Sequence, residues 1–169
     1  MCLRGCRTCE RITMATDTRD DARYVVGAAG VVTTPHGRVL LIRTARFGWE
    51  LPGGRMEWGE DLIAALAREI EEESGCRAAV GRLVGVSSHT TRPGPLIFTF
   101  ACRHIDGEPR PGDDSLEAGW FEPGDAVRLV THPAERDRLR DGLAASSGVV
   151  YRAYRGQGVD IEEVARYGL

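Results

Sequence analysis

Six glutamates, Glu57, Glu60, Glu69, Glu71, Glu72 and Glu73, crowd the stretch Gly53 to Cys76 (GGRMEWGEDLIAALAREIEEESGC). Glu69, Glu72 and Glu73 are spaced i, i+3, i+4, which sets them on one side of a helix. Like charges that close destabilise a helix, so something must offset the repulsion. A divalent cation does so, because carboxylate oxygens are the hard ligands it takes. The chemistry these residues point to is therefore that of a bound divalent cation, which can activate water and neutralise negative charge.

These carboxylates need a rigid carrier. The pattern predicts a helix from about Asp61 to Ser74. Glu60 and Asp61 suit its positive N-terminal end, and Gly75 is the left-handed cap after its last turn. Leu62, Ile63, Leu66, Ala67 and Ile70 form an apolar stripe at helical spacing. At about 100° per residue, Glu69, Glu72 and Glu73 project from the flank beside that stripe. One side docks on a sheet and its neighbour faces a cleft. Ahead of the helix, Pro52 fixes the chain direction, and Gly53 and Gly54 allow backbone angles that other residues resist.

The sheet is read from β-branched and apolar runs. Residues 24–33 (YVVGAAGVVT) are a buried strand, Thr34-Pro35-His36-Gly37 a turn, and Arg38 to Arg43 a second strand, giving a hairpin. Thr44 to Gly48 is a loop carrying Arg46 and Phe47. Ala78 to Thr91 and Leu96 to Arg103 pair as a second, central hairpin across the turn Arg92-Pro93-Gly94-Pro95. His104 to Ser115 is a loop. Glu117 to Phe121 is a short strand, and Glu122 to Asp125 turns the chain toward a short helix. His132 to Ala145 is a second full helix with Pro133 in its first turn. The tail, Val149 to Leu169, is expected to hold a short helix from Asp160 to Tyr167.

The chain has 169 residues, 42% hydrophobic and 28% charged, which is the composition of a globular domain. Its net charge of −3 shows no basic excess of the kind that marks a nucleic-acid binder. Five cysteines, three of them at the N-terminus, do not make a disulfide framework. Cys76 and Cys102 read as small buried hydrophobes. Cys2, Cys6 and Cys9 have a spacing that elsewhere suggests an iron–sulfur site, but residues 1–23 lack apolar periodicity and read as a disordered leader, with Met14 a possible true start. No run of apolar residues reaches membrane-spanning length. The expected organisation is a leader (1–23), a domain (24–148) and a tail (149–169) in a soluble, cytoplasmic protein.

Gly54, five residues, Glu60, seven residues, Arg68-Glu69-Ile70, one residue, Glu72-Glu73, one residue and Gly75-Cys76 together resemble the Nudix box, G-x5-E-x7-R-E-U-x-E-E-x-G-U, where U is bulky and apolar. Cys76 is the one departure, at the final U. Trp49-Glu50-Leu51-Pro52-Gly53 is also typical of the approach to the box. The resemblance in pattern runs from about Val25 to Phe121. It implies an α/β/α sandwich with a mixed β-sheet. It implies hydrolysis of a nucleoside diphosphate linked to another moiety, by water attack on phosphorus with Mg²⁺ or Mn²⁺. Glu72 and Glu73 match the family's metal-binding carboxylates, and Glu69 a third ligand or the general base. The Gly53 carbonyl matches a further metal ligand. Arg68 and Glu60 match an ion pair that orients the helix and Glu69, which places Arg68 with the catalytic set. Glu57 and Glu71 fall at variable positions and read as solvated surface.

In many members the base comes from a loop after the box. Glu117 is the first candidate here, with Asp113 and Asp114 as rivals. Arg43 and Arg46 are candidates to hold phosphates, and Phe47 to stack a base; the bland reading of both arginines is surface charge. His89 reads as structural, and Pro93 is a weak pointer toward ADP-ribose hydrolases. The expected partner is a small nucleoside diphosphate derivative, not a nucleic-acid polymer or a membrane, with a homodimer as a possible assembly. The alternative function is a Nudix-fold module that binds a nucleotide without cleaving it.

Overall fold

The computed structural model describes residues 24–90, 94–112, 114–144, 148–157 and 160–169. The expected leader, with its three cysteines and Met14, lies outside them, as do Pro93 and Asp113. Nine strands form one mixed sheet: β1 (Val25–Thr33), β2 (Val39–Thr44), β3 (Gly48–Glu50), β4 (Gly53–Arg55), β5 (Arg77–His89), β6 (Pro95–Asp106), β7 (Glu117–Phe121), β8 (Val150–Gln157) and β9 (Asp160–Gly168). The order is β3-β2-β1-β6-β5-β8-β9, with β4 on β1 and β7 on β2. Among the described residues there are also three helices: α1 (Leu62–Ser74), α2 (Pro123–Leu129) and α3 (Pro133–Leu143).

β1 is continuously apolar because both of its faces are covered. It pairs parallel with β6 from Val25↔Pro95 to Thr33↔Arg103. One face packs with α1: Val32, Leu40, Leu66, Ile70, Cys76 and Phe100 are buried together there. The other packs with α2 and α3 through Val31, Val39, Leu41, Leu51, Ala126 and Leu139. This is the expected α/β/α sandwich. Cys76 is fully buried and fills the apolar place its position in the box demands. No helix among the described residues is long and apolar enough to cross a membrane.

α1 starts and stops where the sequence predicts. The Asp61 carboxylate accepts from the backbone N–H of Ile63 (2.9 Å) and Ala64 (2.8 Å), satisfying donors that a helix start leaves open. Gly75 has φ 70° and donates to the Glu71 carbonyl, the left-handed cap that glycine favours.

The expected hairpins hold unequally. β5 and β6 pair antiparallel along most of their length, and both are central. β1 and β2 meet only at Thr33↔Val39, because β4 takes the rest of that edge through Gly27↔Arg55, Ala28↔Gly54 and Ala29↔Gly53. The tail requires a correction. Residues 160–167 are not a helix but most of β9, and β8 joins the domain's own sheet beside β5. β9 carries a bulge. Ala153 faces Ala165 and Tyr154 faces Glu163, so Val164 is an extra residue in β9. Ile161, Val164 and Tyr167 stand three apart in the sequence, a spacing that also suits a helix, although the strand does not gather them on one face.

Candidate active site

Two glycines bring the backbone of β4 close to its neighbours. A Cβ on Gly53 would stand 2.2 Å from the Ala28 carbonyl oxygen, and one on Gly54 would stand 2.3 Å from Cδ of Glu69. Only glycine lets β4 lie against β1 while the Glu69 carboxyl rests on Gly54. The Gly53 N–H donates to Oε2 of Glu73 at 2.8 Å. The glycine pair and two glutamates from successive turns of α1 thus form one surface.

Arg68 organises the other side. Its Nε and Nη2 donate to both oxygens of Glu60 (2.7 and 3.0 Å), and its Nη1 donates to Glu69 (3.1 Å) and Glu72 (2.9 Å). A fork held this way leaves little freedom to the carboxylates it grips. The bond from Arg68 is the main cause that holds the Glu60 carboxyl below its usual range. Glu69 is raised instead: burial outweighs the help it receives from Arg68, and the charges of Glu72 and Glu60 add to it. Glu73 is pushed up to about 8, first by burial and then by the charges of Glu69, Glu50 and Asp114, against the lowering effect of the Gly53 N–H. Burial is the first cause of both shifts, and the like charges around them add to it.

The donor set fits a small hard dication, since every candidate ligand is an oxygen. Among the described residues no three acidic, imidazole or thiol groups converge on a single point. Arg68 and the Gly53 N–H hold the carboxylates instead.

Beside β4 lies a cleft of about 610 Å³, a size suited to a small molecule. Arg46, Phe47, Gly53, Glu50, His89 and Glu135 are among the residues lining it. Arg46 and Phe47, the sequence's candidates for substrate contact, thus both line this cleft. The Arg46 guanidinium already lies over the Phe47 ring, 4.6 Å from its centroid, and His132 meets that ring edge-on at 5.0 Å. Arg43 is not among the lining residues. It faces Glu117 across β2 and β7, with Nε donating to the Glu117 carboxylate at 2.9 Å. Both partners are substantially exposed.

The loop that carries Asp114 lies against the end of α1. The Ser115 hydroxyl donates to the Glu73 carbonyl (2.6 Å), which ties the loop after β6 to the end of α1. The Asp114 charge acts on Glu73.

Sequence reading missed several cleft residues. Glu50 was legible only as part of Trp49-Glu50-Leu51-Pro52. It is pushed up to about 7, chiefly by burial, while a hydrogen bond from Thr44 lowers it and the Glu135 charge raises it. Glu135 and Arg138 form an ion pair on α3, and both line the cleft. Their only sequence signal was an i, i+3 charge pair on a helix poor in apolar residues. His89 also lines the cleft, with its pKa lowered by burial and then by the Arg138 charge.

Known proteins resemble this chain in sequence and in fold. The family model described as NUDIX domain matches residues 23–142. A MutT-like protein from Streptomyces ambofaciens is 42% identical over 121 residues, covering 71% of this chain and 77% of that one. An 8-oxo-(d)GTP phosphatase from Mycolicibacterium smegmatis is 30% identical over 146 residues, covering 78% of this chain but only 45% of that protein. In fold, the crystal structure of a MutT protein from Bacillus halodurans superposes with a TM-score of 0.71 at 23% identity, over 85% of this chain and 97% of that one. The box assembled around Arg68, carried on a domain matched from end to end of its sandwich core, places this chain in the Nudix hydrolase family.

Proposed function

We propose that this hydrolase cleaves a diphosphate bond in a nucleoside diphosphate linked to another moiety, with Mg²⁺ as its metal. The observation that carries this reading is the grip of Arg68 on Glu60, Glu69 and Glu72 beside the Glu73–Gly53 contact. Glu69, Glu72, Glu73 and the Gly53 carbonyl would hold the ion. Bound there, it would supply charge neutralisation at the phosphates and acidify a water molecule. Arg68 orients Glu69 and Glu72 through its fork. Asp114, ahead of Glu117, takes the proton of the attacking water; the support is its electrostatic reach to Glu73, whereas Glu117 is paired with Arg43. Arg46 meets a phosphate oxygen at the mouth of the cleft, and the Phe47 side of the cleft receives the nucleoside end.

A nucleotide panel tests this reading: 8-oxo-dGTP, dGTP, ADP-ribose, a nucleotide sugar and a dinucleoside polyphosphate, each with Mg²⁺ in heavy-oxygen water. The expected result is cleavage of at least one member, with the heavy oxygen on a phosphoryl product and no cleavage in chelator. Release from no member would overturn the proposal.

A further inference from the structure

We infer that the C-terminal β8–β9 hairpin is a working part of the substrate cleft, with Arg152 and Tyr154 as positioning residues for the α3 wall; the cleft's role as a substrate site rests on the hydrolase reading above. α3 brings Glu135 and Arg138 to the cleft. Yet its buried apolar side chains are only Ala134 and Leu139. A helix with so narrow an apolar face needs another anchor.

The hairpin supplies that anchor. Arg152 is almost fully buried, and its Nε and Nη2 donate to both oxygens of Asp141 (2.7 and 2.8 Å). Its Nη1 pairs with Glu163 of β9. The Tyr154 hydroxyl donates to Asp137 at 3.1 Å. Asp137 and Asp141 both belong to α3, so two strand residues hold one helix at two points. A forked, buried arginine pair fixes orientation as well as distance.

The same strand reaches the cleft directly. The Tyr154 ring packs against His89 with centroids 5.6 Å apart, and Gly156 lines the cleft. Arg138, carried by α3, donates from Nε and Nη2 to the Ser87 hydroxyl on β5 (3.2 and 3.0 Å). Glu135 pairs with Arg138 through Oε1, while its Oε2 is buried with no hydrogen-bond partner among the described residues. The position of that carboxylate therefore depends on where α3 sits. The match to the family model ends at residue 142, ahead of β8, so the strand half of this anchoring, Arg152 and Tyr154, lies outside the matched span. The box carboxylates stand on α1, which packs on β1, β4, β5 and β7. Loosening α3 should weaken substrate binding and leave the chemical step alone.

The test uses the full-length chain with Tyr154→Phe and, separately, Arg152→Lys. KM and kcat are measured on 8-oxo-dGTP and ADP-ribose, and amide hydrogen exchange is followed across α3 and α1. Tyr154→Phe keeps the ring and removes one hydrogen bond, so KM should rise about fivefold. Arg152→Lys keeps the charge and loses the fork, so KM should rise about tenfold. In both, kcat should stay within about twofold, and exchange should quicken in α3 but not α1. Unchanged KM, or a fall in kcat at constant KM, would overturn the inference, as would unchanged α3 exchange in both variants. If the wild-type chain cleaves neither compound, α3 exchange alone decides the anchoring. The hydrolase reading would fail separately, on the full panel. Should Arg152→Lys not fold, Tyr154→Phe decides.

Discussion

The Glu69 carboxyl occupies the space that a side chain on Gly54 would take, since a Cβ there would stand 2.3 Å from Glu69 Cδ. Gly54 is held to glycine by this neighbour and not by its own backbone angle, whereas Gly53, at φ 152°, is constrained by its φ as well as by the Ala28 carbonyl. The opening residue of the box is thus the floor on which one of its carboxylates rests.

Gly54→Ala should therefore displace the Glu69 carboxylate and leave the sandwich intact. A misplacement of about 1 Å costs on the order of a hundredfold in rate. The expected result is a loss of that size in kcat/KM with an unchanged circular dichroism spectrum. Activity within a few-fold of wild type would show that the Glu69 position is not critical.

Asp114→Asn and Glu117→Gln separate the two described candidates for the base. Removing a general base costs about a hundredfold to ten-thousandfold in kcat. That loss is expected for Asp114→Asn. Glu117→Gln breaks an exposed pair with Arg43 and should change kcat only a few-fold. The opposite ranking in steady-state kinetics would return the role to Glu117.

Cys102 offers a test of the core. Burial pushes its thiol up to about 12 from a usual 9.0, and burial raises Cys76 as well. Both should resist alkylation in the folded chain at pH 8 and react only after unfolding, as peptide mass mapping would show. The sign of the pH effect follows. Between about pH 9 and 12 the unfolded chain releases the Cys102 proton while the folded chain retains it, so this thiol makes stability fall as pH rises. Denaturant midpoints for Cys102→Ala and wild type should show a shallower alkaline decline in the variant.

How much of this was legible in the sequence depended on how local each cause was. α1 was read almost to the residue, because its cap Asp61, its stripe through Leu66 and Ile70, and its stop at Gly75 are all encoded within the helix. The Arg68 fork was legible through the fixed spacing of the box. β9 was misread because Ile161, Val164 and Tyr167 stand three apart in the sequence, as they would on a helix, while its pairing partner β8 lies outside the segment. The partial hairpin of β1 and β2 was misjudged because β4 competes for the edge of β1. Glu50, on β3, meets Glu135 and Arg138 only through the packing of α3 on β5. Arg43 looked available for phosphate because nothing nearby in sequence reveals Glu117 as its partner.

The most direct test of the central claim is Mg²⁺-dependent turnover of the best panel substrate by Glu72→Gln and Glu73→Gln beside the wild-type chain. Magnesium affinity is read in parallel by calorimetry, and folding by circular dichroism. The account predicts that both variants fold, bind Mg²⁺ more weakly and lose about a thousandfold or more of kcat. Wild-type turnover and wild-type Mg²⁺ affinity in either variant would contradict it.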